Sequence, residues 1–138
     1  ARVRGDAAEA KVAFSRARAE QERIVAAQEN FAPAICILGL IDAGLGRKDD
    51  AIREGRRAVE LLPVTRDPIN GVHIMEYLAG IYAWSGEADL ACEELEKVIK
   101  IPGNLSYGQL RLSPVWDPLR GNPRFEKIVA LLAPTASQ

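Results

Sequence analysis

The chain repeats itself, and the repeat is anchored on glycine. Gly5 is followed by Ala10, Phe14 and Ala17, Gly46 by Ala51, Gly55 and Ala58, and Gly86 by Ala91, Leu95 and Val98, each set at the same offsets. Intervals of 41 and 40 residues separate the three glycines. Leu38-Gly39 precedes Gly46 by the interval that separates Leu78-Ala79 from Gly86. A period of this length means a supersecondary unit stacked on copies of itself.

Each copy reads as two helices around a glycine turn. Two antiparallel helices joined by a short turn approach closely only where one presents a small side chain. Gly39 facing Ala51, and Ala79 facing Ala91, are the predicted contacts. Ile74, Leu78, Ile81 and Tyr82 recur at helical spacing, as do Leu90, Leu95, Val98 and Ile99, while no segment sustains a period of two. The fold class is all-α. Gly5-Asp6 is predicted to open a helix reaching about Gln28. Asn30 is predicted to cap the next, which ends at Gly44 and Gly46, and Lys48 or Asp49 to start the third, which stops before Pro63. Asp67-Pro68 is a cap and first-turn proline, with Asn70-Gly71 able to delay the regular helix to Val72. Glu87 opens the following helix and Pro102-Gly103 ends it. Beyond it, Ser106 allows one capped turn, Ser113-Pro114 and Asp117-Pro118 each suggest another, and Asn122-Pro123 caps a final helix to about Leu132. Residues 134–138 are expected to fray.

Leu38, Gly39, Gly46, Ala51, Ala58 and Pro63, then Leu78, Ala79, Tyr82, Gly86, Ala91, Leu95 and Pro102, resemble the pattern of the tetratricopeptide repeat family. The resemblance implies a short right-handed superhelical α-solenoid closed by a C-terminal capping helix. Its parts are a trailing half-repeat at 5–29, repeats at 32–65 and 72–103, and a cap at 104–134. Departures are Asp42 at a usually aromatic position, Gly55 at a usually bulky one, and a period longer than the family's roughly 34 residues. The stretch from Leu112 to Phe125 is similar to a C-terminal signature of bacterial multidomain regulators that carry such repeats behind a kinase, nucleotide-cyclase or winged-helix domain. It implies that the chain, which starts Ala1-Arg2-Val3, is a piece of such a regulator.

Composition narrows the function classes. Apolar residues make up 48% and charged residues 27% of 138, with a net charge of -1, the balance of a folded globular domain. Acidic and basic residues alternate, so no face is basic enough for nucleic acid. The longest apolar run, Ile35 to Ile41, is broken by Gly39 and falls far short of the roughly 20 residues of a membrane span. Cys36 and Cys92 lie in apolar helical patterns without a CxxC or Cys/His partner, which reads as buried reduced thiols and a cytoplasmic setting. The single histidine, His73, has no nucleophile at triad-like spacing, and phosphate-loop, GxGxxG, HExxH and EF-hand patterns are missing. The chain therefore reads as non-enzymatic, without cofactor or metal.

What remains is binding of a protein or peptide, or of a neighbouring domain. In a repeat array the first helix of each pair lines the concave face. The groove residues predicted on that basis are His73, Glu76, Gly80, Ala83 and Trp84 from one repeat, and Pro33, Cys36, Leu40 and Ala43 from the other. Trp84 either stands free as an anchor or packs on the 64–72 segment or the tail. His73 is more ordinarily a helix-start surface residue. Trp116, Leu119, Phe125, Ile128 and Leu131 are expected to form a hydrophobic lid. Arg120 and Arg124 meet either a partner carboxylate or Asp117 and turn carbonyls. The half-repeat at 5–29 leaves an apolar face open to homodimerisation.

Overall fold

The structure, a computed structural model, describes residues 2–101 and 105–133, with side chains from Ala8 onward. Pro102, Gly103 and the expected fraying of 134–138 lie outside the described residues. Every described element is helical: α1 (Arg2–Ala27), α2 (Ala32–Gly44), α3 (Lys48–Leu61), α4 (Pro68–Trp84), α5 (Ala88–Val98), α6 (Tyr107–Leu112), a 3-10 turn (Pro114–Leu119) and α7 (Pro123–Leu132).

The two glycine turns are built alike. Gly46 and Gly86 adopt φ of 81° and 80°, a left-handed conformation that costs glycine little. In the first turn Arg47 N–H donates to the Asp42 carbonyl (2.8 Å) and Gly46 N–H to that of Ala43 (3.1 Å). In the second, Glu87 N–H donates to Tyr82 (2.8 Å) and Gly86 N–H to Ala83 (3.3 Å). Both are Schellman closures, which satisfy the last carbonyls of a helix and turn the chain back.

Helices α2 and α3 form one hairpin, α4 and α5 the next, and α4 packs on both α2 and α3. The small residues sit where the helices touch. A Cβ on Gly39 would lie 3.1 Å from the Ala51 carbonyl oxygen and 2.9 Å from Ile81 Cδ1. Ala51, Ala79 and Ala91 have no exposed surface. Gly55 makes room for α4 rather than for α2, since a Cβ there would meet Leu78 Cδ1 and Ile81 Cδ1 at 2.8 and 2.9 Å. That contact accounts for a glycine where a bulky side chain was expected.

Several boundaries differ from the sequence reading. Helix α1 is already formed at Arg2, so Gly5 lies inside it rather than opening it. Asn30 does not cap α2: it takes φ of 67° in the turn and accepts from Arg57 at 2.7 Å, leaving Phe31 as the N-cap. Helix α4 starts at Pro68 without delay, because the Asp67 side chain accepts from Asn70 N–H at 3.1 Å. Gly71 belongs to the helix and is small for another reason: a Cβ there would lie 2.7 Å from Val64 Cα, where the backbone crosses.

The tail folds back as part of the core. Leu110, Trp116, Leu119, Phe125, Ile128 and Val129 bury against Leu78, Tyr82, Cys92 and Leu95. Leu131 is a correction: it points to solvent at 67% exposure, and Val129 and Leu132 turn inward instead. The helical register set by Phe125 and Ile128 carries the buried stripe to 129 and 132. Arg120 holds the short turns, donating to the carbonyls of Leu110 (2.6 Å) and Ser113 (2.9 Å) and to Asp117 Oδ1 (3.3 Å). Arg124 instead reaches α5 and grips Glu96 through both oxygens, at 2.7 and 3.0 Å, which holds that carboxyl below its usual range.

Candidate functional site

A groove of about 460 Å³ runs along the outward face of α4. Its floor is Asn70, His73, Ile74, Glu76, Tyr77 and Gly80. Pro33 and Leu40 of α2 form one wall. Leu105, Gln109, Ser113, Val115 and Trp116 of the tail form the other. Gly80 sets how closely the walls approach, since a Cβ there would meet Val115 Cγ1 at 3.1 Å and Leu40 Cδ1 at 3.7 Å. The size falls within the range of small-ligand and anchor pockets, about 300–1,000 Å³.

Of the residues predicted for a groove, Pro33, Leu40, His73, Glu76 and Gly80 are brought together here. Cys36, Ala43 and Ala83 are not: all three are buried. Cys36 packs with Ile35, Ala58 and Ile74, and Ala43 with Ala51 and Ile81. Ala83 joins the main core beside Ala79 and Leu95. Helix α2 is apolar nearly all round and is packed by α1, α3 and α4, so its periodicity could not tell groove from core. Trp84 meets both of its expected alternatives halfway. Its indole N–H donates to the Val115 carbonyl at 2.8 Å, pinning the tail, while the residue stays 46% exposed beside the groove rather than in it.

The sequence reading missed Tyr77, 39% exposed on the groove floor, and the Val115–Trp116 wall. Tyr77 is one turn on from His73, a spacing that places both on one helix face and was available as a signal. The tail wall carried no such signal, since its position depends on the fold-back.

The electrostatics of the groove centre on Glu76. Its Oε2 lies 3.7 Å from His73 Nδ1, and its Oε1 is buried with no hydrogen-bond donor reaching it among the described residues. Burial pushes this carboxyl up from its ordinary range, and His73 opposes the shift. Among the described residues no lysine or arginine lines the groove. Comparison with models of protein families, with curated proteins and with solved structures finds no match to this chain.

A second titratable cluster sits at the α1–α2–α3 junction. Asp42 is fully buried, and Arg18 of α1 donates to its Oδ1 while also pairing with Glu22. Arg47 Nε stands 3.9 Å from the same oxygen. Glu54 of α3 faces Asp42 within hydrogen-bonding reach, and burial, followed by that contact, pushes its carboxyl up to about 8. Among the described residues Asp42 Oδ2 and Glu54 Oε2 each lack a partner, and a proton on Glu54 would let one carboxyl donate to the other. The cluster explains the acidic residue at 42: it receives α1, which also docks through Phe14 on Gly44 and through Gln21 Nε2 donating to the Ala34 carbonyl at 2.9 Å. The outward side of α1 leaves Val12 and Ile24 exposed.

Neither thiol is poised for chemistry. Cys36 and Cys92 are free and buried, and burial raises both, Cys36 to about 12. Among the described residues no cluster of His, Cys, Asp and Glu could hold a metal, and no helix is long and apolar enough to cross a membrane.

Proposed function

We propose that this chain is a non-catalytic docking module, two tetratricopeptide-like hairpins and a cap that hold a protein segment in the α4 groove, within a larger bacterial regulator. The observation that carries the reading is the groove itself: a half-open, largely apolar channel with an exposed tyrosine on its floor and buried aromatic Trp116 in its wall. Aromatic residues in such settings supply much of the energy of protein recognition. The matching Schellman turns and the Gly39–Ala51 approach support a repeat architecture, in which such grooves are the usual binding face.

The test is a panning of a random octapeptide display library against the chain. Binders are expected whose affinity falls at least tenfold for Tyr77→Ala, a half-exposed position whose truncation leaves the melting temperature nearly unchanged. Binders that ignore Tyr77→Ala would place recognition elsewhere and end the reading.

A further inference from the structure

The groove is largely apolar, and Glu76 is the carboxylate that lines it. Glu76 is 20% exposed by its side chain, and its Oε1 is cut off from every donor among the described residues. A buried acceptor left without a partner is costly, the more so when charged. The other orphaned carboxylate oxygens, on Asp42 and Glu54, belong to carboxyls that face each other and can share a proton. Among the described residues, the ionisable group beside Glu76 is His73, at 3.7 Å and more than half exposed. Asn70 and Gln109, the other polar side chains of the floor and far wall apart from Ser113, are neutral. Among the described residues the groove thus presents one acid and no lysine or arginine, framed by Leu40, Ile74, Tyr77, Val115 and Trp116.

We infer that the groove selects a protein segment bearing a lysine or arginine side chain between apolar residues, with the cation seated on Glu76. An ammonium or guanidinium in the groove reaches this carboxylate through Oε2, since Oε1 is itself sealed inside, and charge-assisted bonds are roughly twice as strong as neutral ones. The methylene stem of such a side chain lies against apolar walls without loss, and the aromatic Tyr77 lines the same groove. An acidic segment would bring a second carboxylate beside Glu76, where no lysine or arginine among the described residues lines the groove to receive it.

The inference rests on the docking reading and is separable from it. The same octapeptide library is panned against the wild-type chain and against Glu76→Gln, which keeps shape and removes charge; thermal unfolding of the variant checks that the fold is retained. The expected result is a wild-type consensus containing lysine or arginine. That consensus peptide should bind Glu76→Gln at least tenfold more weakly, and should lose a similar factor when its basic residue is replaced by norleucine. Peptides that depend on Tyr77 yet carry a neutral or acidic consensus, or bind Glu76→Gln equally well, would overturn the charge selection and leave the docking reading standing. Failure to select any Tyr77-dependent peptide would remove both.

Discussion

Phe125→Ala is expected to lower the unfolding free energy by about 3–5 kcal/mol, the range for truncating a buried phenylalanine. The ring has no exposed surface and packs among Leu95, Leu110, Trp116, Leu119 and Ile128, drawn from α5, α6, the 3-10 turn and α7. The Arg120 guanidinium lies 6.0 Å from its centroid. Loss of this ring therefore opens a cavity at the meeting point of four elements. A domain of this size is stable by only about 5–15 kcal/mol, so the change removes a large share. Leu131→Ala, on the solvent side of the same helix, should stay within about 0.5 kcal/mol. Urea unfolding of both variants reads the contrast. A Phe125→Ala cost below about 1 kcal/mol would mean that the tail is an appendage rather than part of the core.

Arg18→Met is expected to cost about 2–3 kcal/mol at pH 8 and distinctly less at pH 5. Removing one partner of a buried ion pair leaves the other charge uncompensated, at about 3–5 kcal/mol in full burial. The cost is smaller here because α1 can lift away and let water reach Asp42. The pH dependence follows from Glu54. Its folded value of about 8 lies above its ordinary 4.5, so the folded state holds the proton more tightly than the unfolded chain. This contribution to stability is complete below pH 4.5 and is lost as pH rises toward 8. Without Arg18, the unpaired carboxylates of Asp42 and Glu54 repel most where both are ionised. Glu54→Gln should flatten the wild-type decline, since an amide donates to Asp42 at every pH. Urea unfolding at pH 5 and pH 8 measures all three proteins. An Arg18→Met cost that is the same at both pH values, or a Glu54→Gln chain with the wild-type slope, would contradict the account of this cluster.

How far the sequence could be read depended on whether a residue's role was local. Gly39, Ala51, Ala79 and Ala91 were legible because close helix approach demands small side chains whatever surrounds them. The turns at Gly46 and Gly86 and the caps Asp67, Ser106 and Asn122 were legible because they act within a few residues of chain. Cys36, Ala43 and Ala83 were misplaced because α2 and α4 are packed on more than one side, and an apolar helix does not announce which stripe stays open. Gly71 was misjudged as a helix delay, because the reason for it is the crossing backbone of Val64, distant in effect though near in sequence. Asp42 was visible as a departure, but its meaning lay in Arg18 and Glu54 on two other helices.

The groove's role is most directly tested by amide chemical-shift mapping of the isotopically labelled chain, titrated with a peptide selected on it. The account predicts perturbations concentrated along α4 from Asn70 to Gly80, at Leu40 of α2, and at Val115 and Trp116. Perturbations confined to α3 and α5, or to α1 around Val12 and Ile24, would contradict it.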